Sequence, residues 1–198
     1  MKTHIRSVLI TLTFLWPAVI QPNAGAVVPP PDGGYPNFNT AEGTNALKSL
    51  TNGSANTAIG WVSLFSAGTA SFNTGIGAGT LALNDADENT ATGAGALLLN
   101  TNGIGNTATG AFALLHNDTG NGNTAIGLNS LSSNTTGGFN TATGDAALLS
   151  NTTGSDNTGI GAGALEFNTA SENTAIGSGR SCSTAPAPAI RPLVFKRS

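Results

Sequence analysis

One short phrase recurs through most of this chain: Asn-Thr, then a small residue, then a β-branched residue, then Gly. Copies begin at Asn39, Asn56, Asn73, Asn89, Asn106, Asn123, Asn140, Asn157 and Asn173, spaced 17, 17, 16, 17, 17, 17, 17 and 16 residues apart. A fixed period of this length constrains the fold more than any composition does, because each repeat must be one structural unit that buries its apolar side only against its neighbours.

Numbering each unit from its Asn, six columns stand out. Positions 1 and 2 are Asn and Thr in all nine copies, and position 3 is Ala or Gly. Position 5 is always Gly: Gly43, Gly60, Gly77, Gly93, Gly110, Gly127, Gly144, Gly161 and Gly177. Position 9 is Leu in all eight complete copies: Leu47, Leu64, Leu81, Leu97, Leu114, Leu131, Leu148 and Leu165. Position 12 is mostly Asn, and the two 16-residue copies lose a position after it, which places the length variation in a loop.

N-T-A-[IT]-G reads as a short strand closed by a turn, since β-branched residues suit a pleated surface and Gly suits a positive φ or a corner with no room for Cβ. Position 3 then faces away from position 4, toward a closely approaching backbone. The Leu column reads as a ladder inside a narrow core. Helix pairs need about 33 residues or more per repeat, so α-solenoids are excluded. The expectation is an all-β, parallel β-solenoid of about nine coils, each with two short strands and two turns, rising about 4.8 Å per coil.

The flanks differ from the repeats. Lys2, His4 and Arg6 precede a thirteen-residue apolar run, Val8 to Ile20, and Ala24-Gly25-Ala26 follows. This is the layout of a secretory signal peptide over 1–26. The run is shorter than the roughly 20 residues that span a bilayer, and no other segment is apolar enough to do so as a helix. A Pro/Gly-rich lead-in occupies 27–38, the solenoid 39–178, and an irregular, Pro-rich, basic tail 179–198. Cys182 in that tail is the only cysteine, so no internal disulfide is available.

Charge narrows the function classes. Only 9% of residues are charged, and no Lys or Arg lies between Ser49 and Gly179, a span that carries eight acids. Nucleic-acid binding depends on phosphate neutralisation by basic side chains, so such a body argues against nucleic acid as a partner. Catalytic residues and cofactors are not expected. His116 reads as a surface substitution at position 11. GIGAGT, at Gly75 to Thr80, has no Lys and no strand–helix context for a phosphate loop. Asp85, Asp87 and Glu88 share one shortened loop and are a weak calcium candidate, with a solvated charged loop as the plainer reading. Phe72 and Phe139 share position 17 and, like the other aromatics, are expected to pack or cover edges rather than form a carbohydrate platform.

NTAIG, NTATG and NTGIG, each followed by Ala-Leu or a variant and then NTTG, resemble the head repeats of YadA-type trimeric autotransporter adhesins. Closer still are 17-residue NTAxGxxALxxNTTGxx repeats of secreted bacterial and tail-fibre-like proteins. The resemblance runs from Asn39 to about Ser178. It implies a left-handed parallel β-roll, commonly trimeric, displayed outside the cell and used for adhesion. The expected function is therefore a secreted, non-enzymatic structural or adhesive surface module, a homo-oligomer (a trimer) that meets an extracellular surface or a glycan. Two alternatives remain. The in-register Thr column could bind ice or another ordered surface. Alternatively, because the ninth unit breaks from NTAIGSG into RSCSTAPAPAIRPLVFKRS, the chain could be a truncated relative of a longer fibre protein.

Overall fold

The computed structural model describes residues 36–179. The signal-peptide reading, most of the lead-in, the basic tail and Cys182 lie outside the described residues.

Each repeat forms one coil and contributes one three-residue strand: β1 (Thr40–Glu42), β2 (Thr57–Ile59), β3 (Thr74–Ile76), β4 (Thr90–Thr92), β5 (Thr107–Thr109), β6 (Thr124–Ile126), β7 (Thr141–Thr143), β8 (Thr158–Ile160) and β9 (Thr174–Ile176). All nine lie in one parallel sheet, in sequence order. Register is preserved throughout: Thr40 pairs with Thr57, Thr57 with Thr74, and so on to Thr158 with Thr174. The 16-residue coils keep the same register, with Thr74 opposite Thr90 and Thr158 opposite Thr174, so the missing residue is absorbed outside the strand. The chain is an all-β solenoid, as its period predicts.

The expected second strand does not form. The Leu column has φ between 49° and 54° in all eight coils, in the left-handed region rather than the extended one. Such a conformation costs a residue with a Cβ about 1–2 kcal/mol. Burial offsets it: from Leu64 to Leu165 these side chains are fully enclosed, and enclosing a Leu contributes about 1.5–3 kcal/mol. Backbone bonds between coils continue through this arc without strand geometry. Leu114 N–H donates to Ser130 O at 3.0 Å, and His116 N–H to Ser132 O at 3.1 Å. The axial direction of these bonds alternates around the coil. Positions 2, 9 and 11 donate to the following coil, as Thr107 does to Asn123 O (2.8 Å). Positions 5, 7 and 17 donate to the preceding one, as Gly110 does to Thr92 O (2.8 Å).

The Gly column meets both of its predicted constraints. Gly110 has φ +130, and a Cβ there would stand 2.5 Å from Gly127 O. Position 3 turns inward, and the Ala residues there from Ala58 to Ala142 are fully buried. In the third coil, where Thr80 occupies position 8, position 3 is Gly75. A Cβ on Gly75 would sit 2.6 Å from Ser63 Oγ and 2.9 Å from Thr80 Oγ1, and those hydroxyls bond each other at 2.8 Å.

Two stacks of asparagine side chains run through the interior. At position 1, each Oδ1 accepts the backbone N–H of the next coil's Asn and, except at Asn73, its Nδ2–H as well; Asn89 Nδ2 turns instead to Asn84 Oδ1 at 3.1 Å. Asn123 N donates to Asn106 Oδ1 at 2.9 Å and Asn123 Nδ2 to the same oxygen at 3.2 Å. The stack is unbroken from Asn39 to Asn173. At position 12 a second stack links Asn84, Asn100, Asn117, Asn134 and Asn151, each Nδ2 donating to the Oδ1 before it. In the 17-residue coils Nδ2 also donates to the carbonyl three residues on, as Asn117 does to Gly120 O at 2.8 Å. Asn168, in a shortened coil, instead donates to Ala170 O at 2.7 Å, and Asn151 Oδ1 is left buried without a partner.

The first coil is closed by a turn at Pro36–Phe38, which occupies the last arc of a preceding coil. Ala55 N–H donates to Asn37 O at 2.9 Å, as Phe72 N–H does to Ser54 O one coil later. Asn39 Nδ2 donates to Pro36 O at 2.7 Å.

Two substitution pairs test this account by chemical unfolding. Gly110→Ala, with a backbone clash and a φ beyond the left-handed well, should cost about 3 kcal/mol. Gly105→Ala, at φ +67 with open space around it, should cost about 1 kcal/mol. Asn134→Ala should cost about 1 kcal/mol more than Asn151→Ala, because Asn134 Oδ1 accepts a bond and Asn151 Oδ1 accepts none. Equal losses within either pair would refute the corresponding argument.

Candidate contact face

Strand alternation builds the outer surface of the sheet. With position 3 inward, positions 2 and 4 face out; β4 and β5 run exposed–buried–exposed. Position 2 is an unbroken column of nine Thr, in register. Position 4 is Ile or Thr in every coil but the first, where it is Glu42. Stiff χ1 rotamers hold both columns in place before any partner arrives. Position 17 lies two residues before position 2, where the backbone turns through positive φ, and forms a third, exposed column along one border.

That border overturns the packing expectation for the aromatics. Phe38, Phe72 and Phe139 all occupy position 17 and are 92%, 62% and 69% exposed. Edge-covering is partly right. A Cβ on Gly122 would stand 2.8 Å from the Phe139 ring, and one on Gly95 would stand 2.9 Å from Phe112, so each of these rings leans back over a glycine of the preceding coil. Their outer faces remain in solvent. Trp61 and Phe167 are exposed too, at positions 6 and 11. Lys48 is the one Lys or Arg among the described residues, and its Nζ sits 5.7 Å from the Phe65 ring centroid, away from the sheet face.

The acidic loop is spent differently from a calcium site. Asp87 Oδ1 accepts the Ser71 N–H at 2.8 Å. Asp85 leans toward Gly68 of the preceding coil. The Glu88 backbone N–H donates to Ser71 O at 3.1 Å. Among the described residues, no three or more His, Cys, Asp or Glu side chains gather as a metal set. Asp87 belongs to a recurring device at position 16. There a polar side chain caps the same position's N–H in the coil before, as Ser155 Oγ caps Gly138 N–H at 3.1 Å and Asn121 Oδ1 caps Ile104 N–H at 2.7 Å. Alignment of the repeats alone did not expose this device, because Ser, Asp and Asn share the role without sharing a letter.

His116 is exposed, and its Nδ1 lies 2.9 Å from Ser132 O, a carbonyl that can only accept. That bond orients the ring along the surface and pairs it with no nucleophile. No helix among the described residues is long and apolar enough to cross a membrane.

Comparison with protein-family models, with curated proteins and with solved structures returned no match.

Proposed function

We propose that the chain is a secreted, non-enzymatic surface module whose role is structural or adhesive, in the manner of the adhesin-head repeats its sequence resembles. The observation that supports this reading most is the sheet face: nine strands in strict register, whose position-2 and position-4 columns carry no charge after Glu42. A surface that repeats one contact many times along a stiff rod suits summed weak binding better than chemistry at one point.

Self-association into a trimer belongs to the same proposal. The core of each coil is one Leu, small residues and amides, which buries little apolar area per residue. Meanwhile Ile59, Ile76, Ile126, Ile160 and Ile176 remain exposed on one face. Aligned apolar groups of this extent mark contact surfaces.

A second reading draws on the Thr column. Nine hydroxyls and nine methyls at the coil repeat form a regular, neutral array that fits an ordered water surface such as ice.

Light scattering with circular dichroism on the secreted chain tests the first reading. A β-rich trimer is the expected result, and a stable folded monomer would count against the adhesin-head assignment. Thermal hysteresis tests the second: ice binding predicts a gap between melting and freezing that a mid-ladder Thr107→Lys substitution abolishes, and no gap in the parent protein ends that reading.

A further inference from the structure

The three position-17 aromatics are spaced in a way the repeat itself does not require. Phe38 precedes the first coil, Phe72 closes the second, and Phe139 closes the sixth. The separations are two and four coils, roughly 10 Å and 19 Å at the strand spacing. Ala55 lies between the first two, and between Phe72 and Phe139 the column is Glu88 and then Gly at 105 and 122. The rings therefore recur only on alternate coils.

We propose that this border binds a linear, uncharged, β-linked hexose chain lying parallel to the solenoid axis. In an extended chain of that kind, one sugar advances by about one coil, and every second sugar presents the same face. Rings on alternate coils thus meet equivalent sugar faces, and a gap of four coils keeps the phase. An exposed aromatic ring offers a large, rigid apolar surface for the C–H face of a sugar. The position-2 hydroxyls of Thr40, Thr57 and Thr74 follow two residues later in their coils, on the outer face of the sheet, and can both donate to and accept from sugar hydroxyls.

Charge selects among glycans. Glu88 stands on the track between Phe72 and Phe139, Asp156 and Glu172 continue the same column beyond Phe139, and no Lys or Arg lies on it among the described residues. Uronates and sulfated sugars would meet like charge with no compensating cation. The predicted ligand class is neutral, such as cellulose or chitin oligomers. The inference deepens the adhesive reading by naming a ligand class, and the two fail separately, since oligomeric state is measured without glycan.

Titration calorimetry of the full chain with cellohexaose, chitohexaose and an oligogalacturonate supplies the test. Binding to at least one neutral hexamer and none to the uronate is expected. Phe72→Ala and Phe139→Ala should each weaken binding roughly tenfold. Phe72→Tyr, which keeps the ring, should retain it. Phe167→Ala, on a different side of the coil, should leave affinity unchanged. The inference is overturned by an absence of binding to both neutral hexamers. It is equally overturned by unaltered affinity in a Phe72→Ala/Phe139→Ala protein with parental circular dichroism, or by an equal loss in Phe167→Ala.

Discussion

The whole solenoid depends on one repeated contact, the position-1 asparagine amide that accepts two hydrogen bonds from the coil after it. A buried amide costs several kcal/mol if its groups go unpaired. Here Oδ1 takes a backbone N–H and a side-chain N–H of the next Asn, so each coil is completed only by its neighbour. The contact therefore fixes axial order and rotation together. A slip of one residue would bring Thr where Asn is required and leave both donors buried and unsatisfied. The sheet's register, the flatness of its outer columns and the tolerance of loop shortening all follow from that anchor.

Around it the interior is assembled from small parts. Leu at position 9 supplies nearly all of the bulky apolar volume, and it does so in a backbone conformation that Leu ordinarily avoids. Gly at position 5 lets successive coils touch backbone to backbone. The second amide stack shows how local the rules are. Coils 1 and 2 replace its Asn with Leu50, which is partly buried, and Ala67, which is fully buried, apolar residues that need no hydrogen-bond partner. A shortened coil turns Asn168 away and strands the oxygen of Asn151. The two ends of this stack differ chemically from its middle, whereas the position-1 stack keeps its backbone bond at every step and loses its side-chain bond only between Asn73 and Asn89.

Much of this was legible in the spacing alone. The period announces the solenoid, the invariant Gly its corner, and the Leu column the core, because each has one dominant physical explanation. Other features were hidden. Asn at positions 1 and 12 reads as a turn residue in isolation, and its burial follows only from stacking copies of itself. The positive φ at Leu114 has no local signal, since Leu carries no preference for it. The cap at position 16 is obscured because Ser155, Asn121 and Asp87 perform it interchangeably. For the candidate face, the strand triplets specify which columns point outward. The exposure of Phe72 and Phe139 does not follow from their identity, because aromatic rings are ordinarily drawn inside.

The alternation of backbone bonds up and down the axis has an electrical consequence. In an α-helix every peptide points the same way and the dipoles sum to partial charges at the ends. In this rod the peptides of positions 2, 9 and 11 oppose those of 5, 7 and 17, so these axial dipoles offset one another. Lengthening the solenoid by further coils then builds up less end potential than lengthening a helix does. What backbone polarity the rod retains comes from position 13, where Thr101 N–H donates to Asp118 O and Asp118 N–H to Thr135 O, each toward the following coil. The stacked asparagine side chains point their Nδ2 groups the other way, toward the coil before.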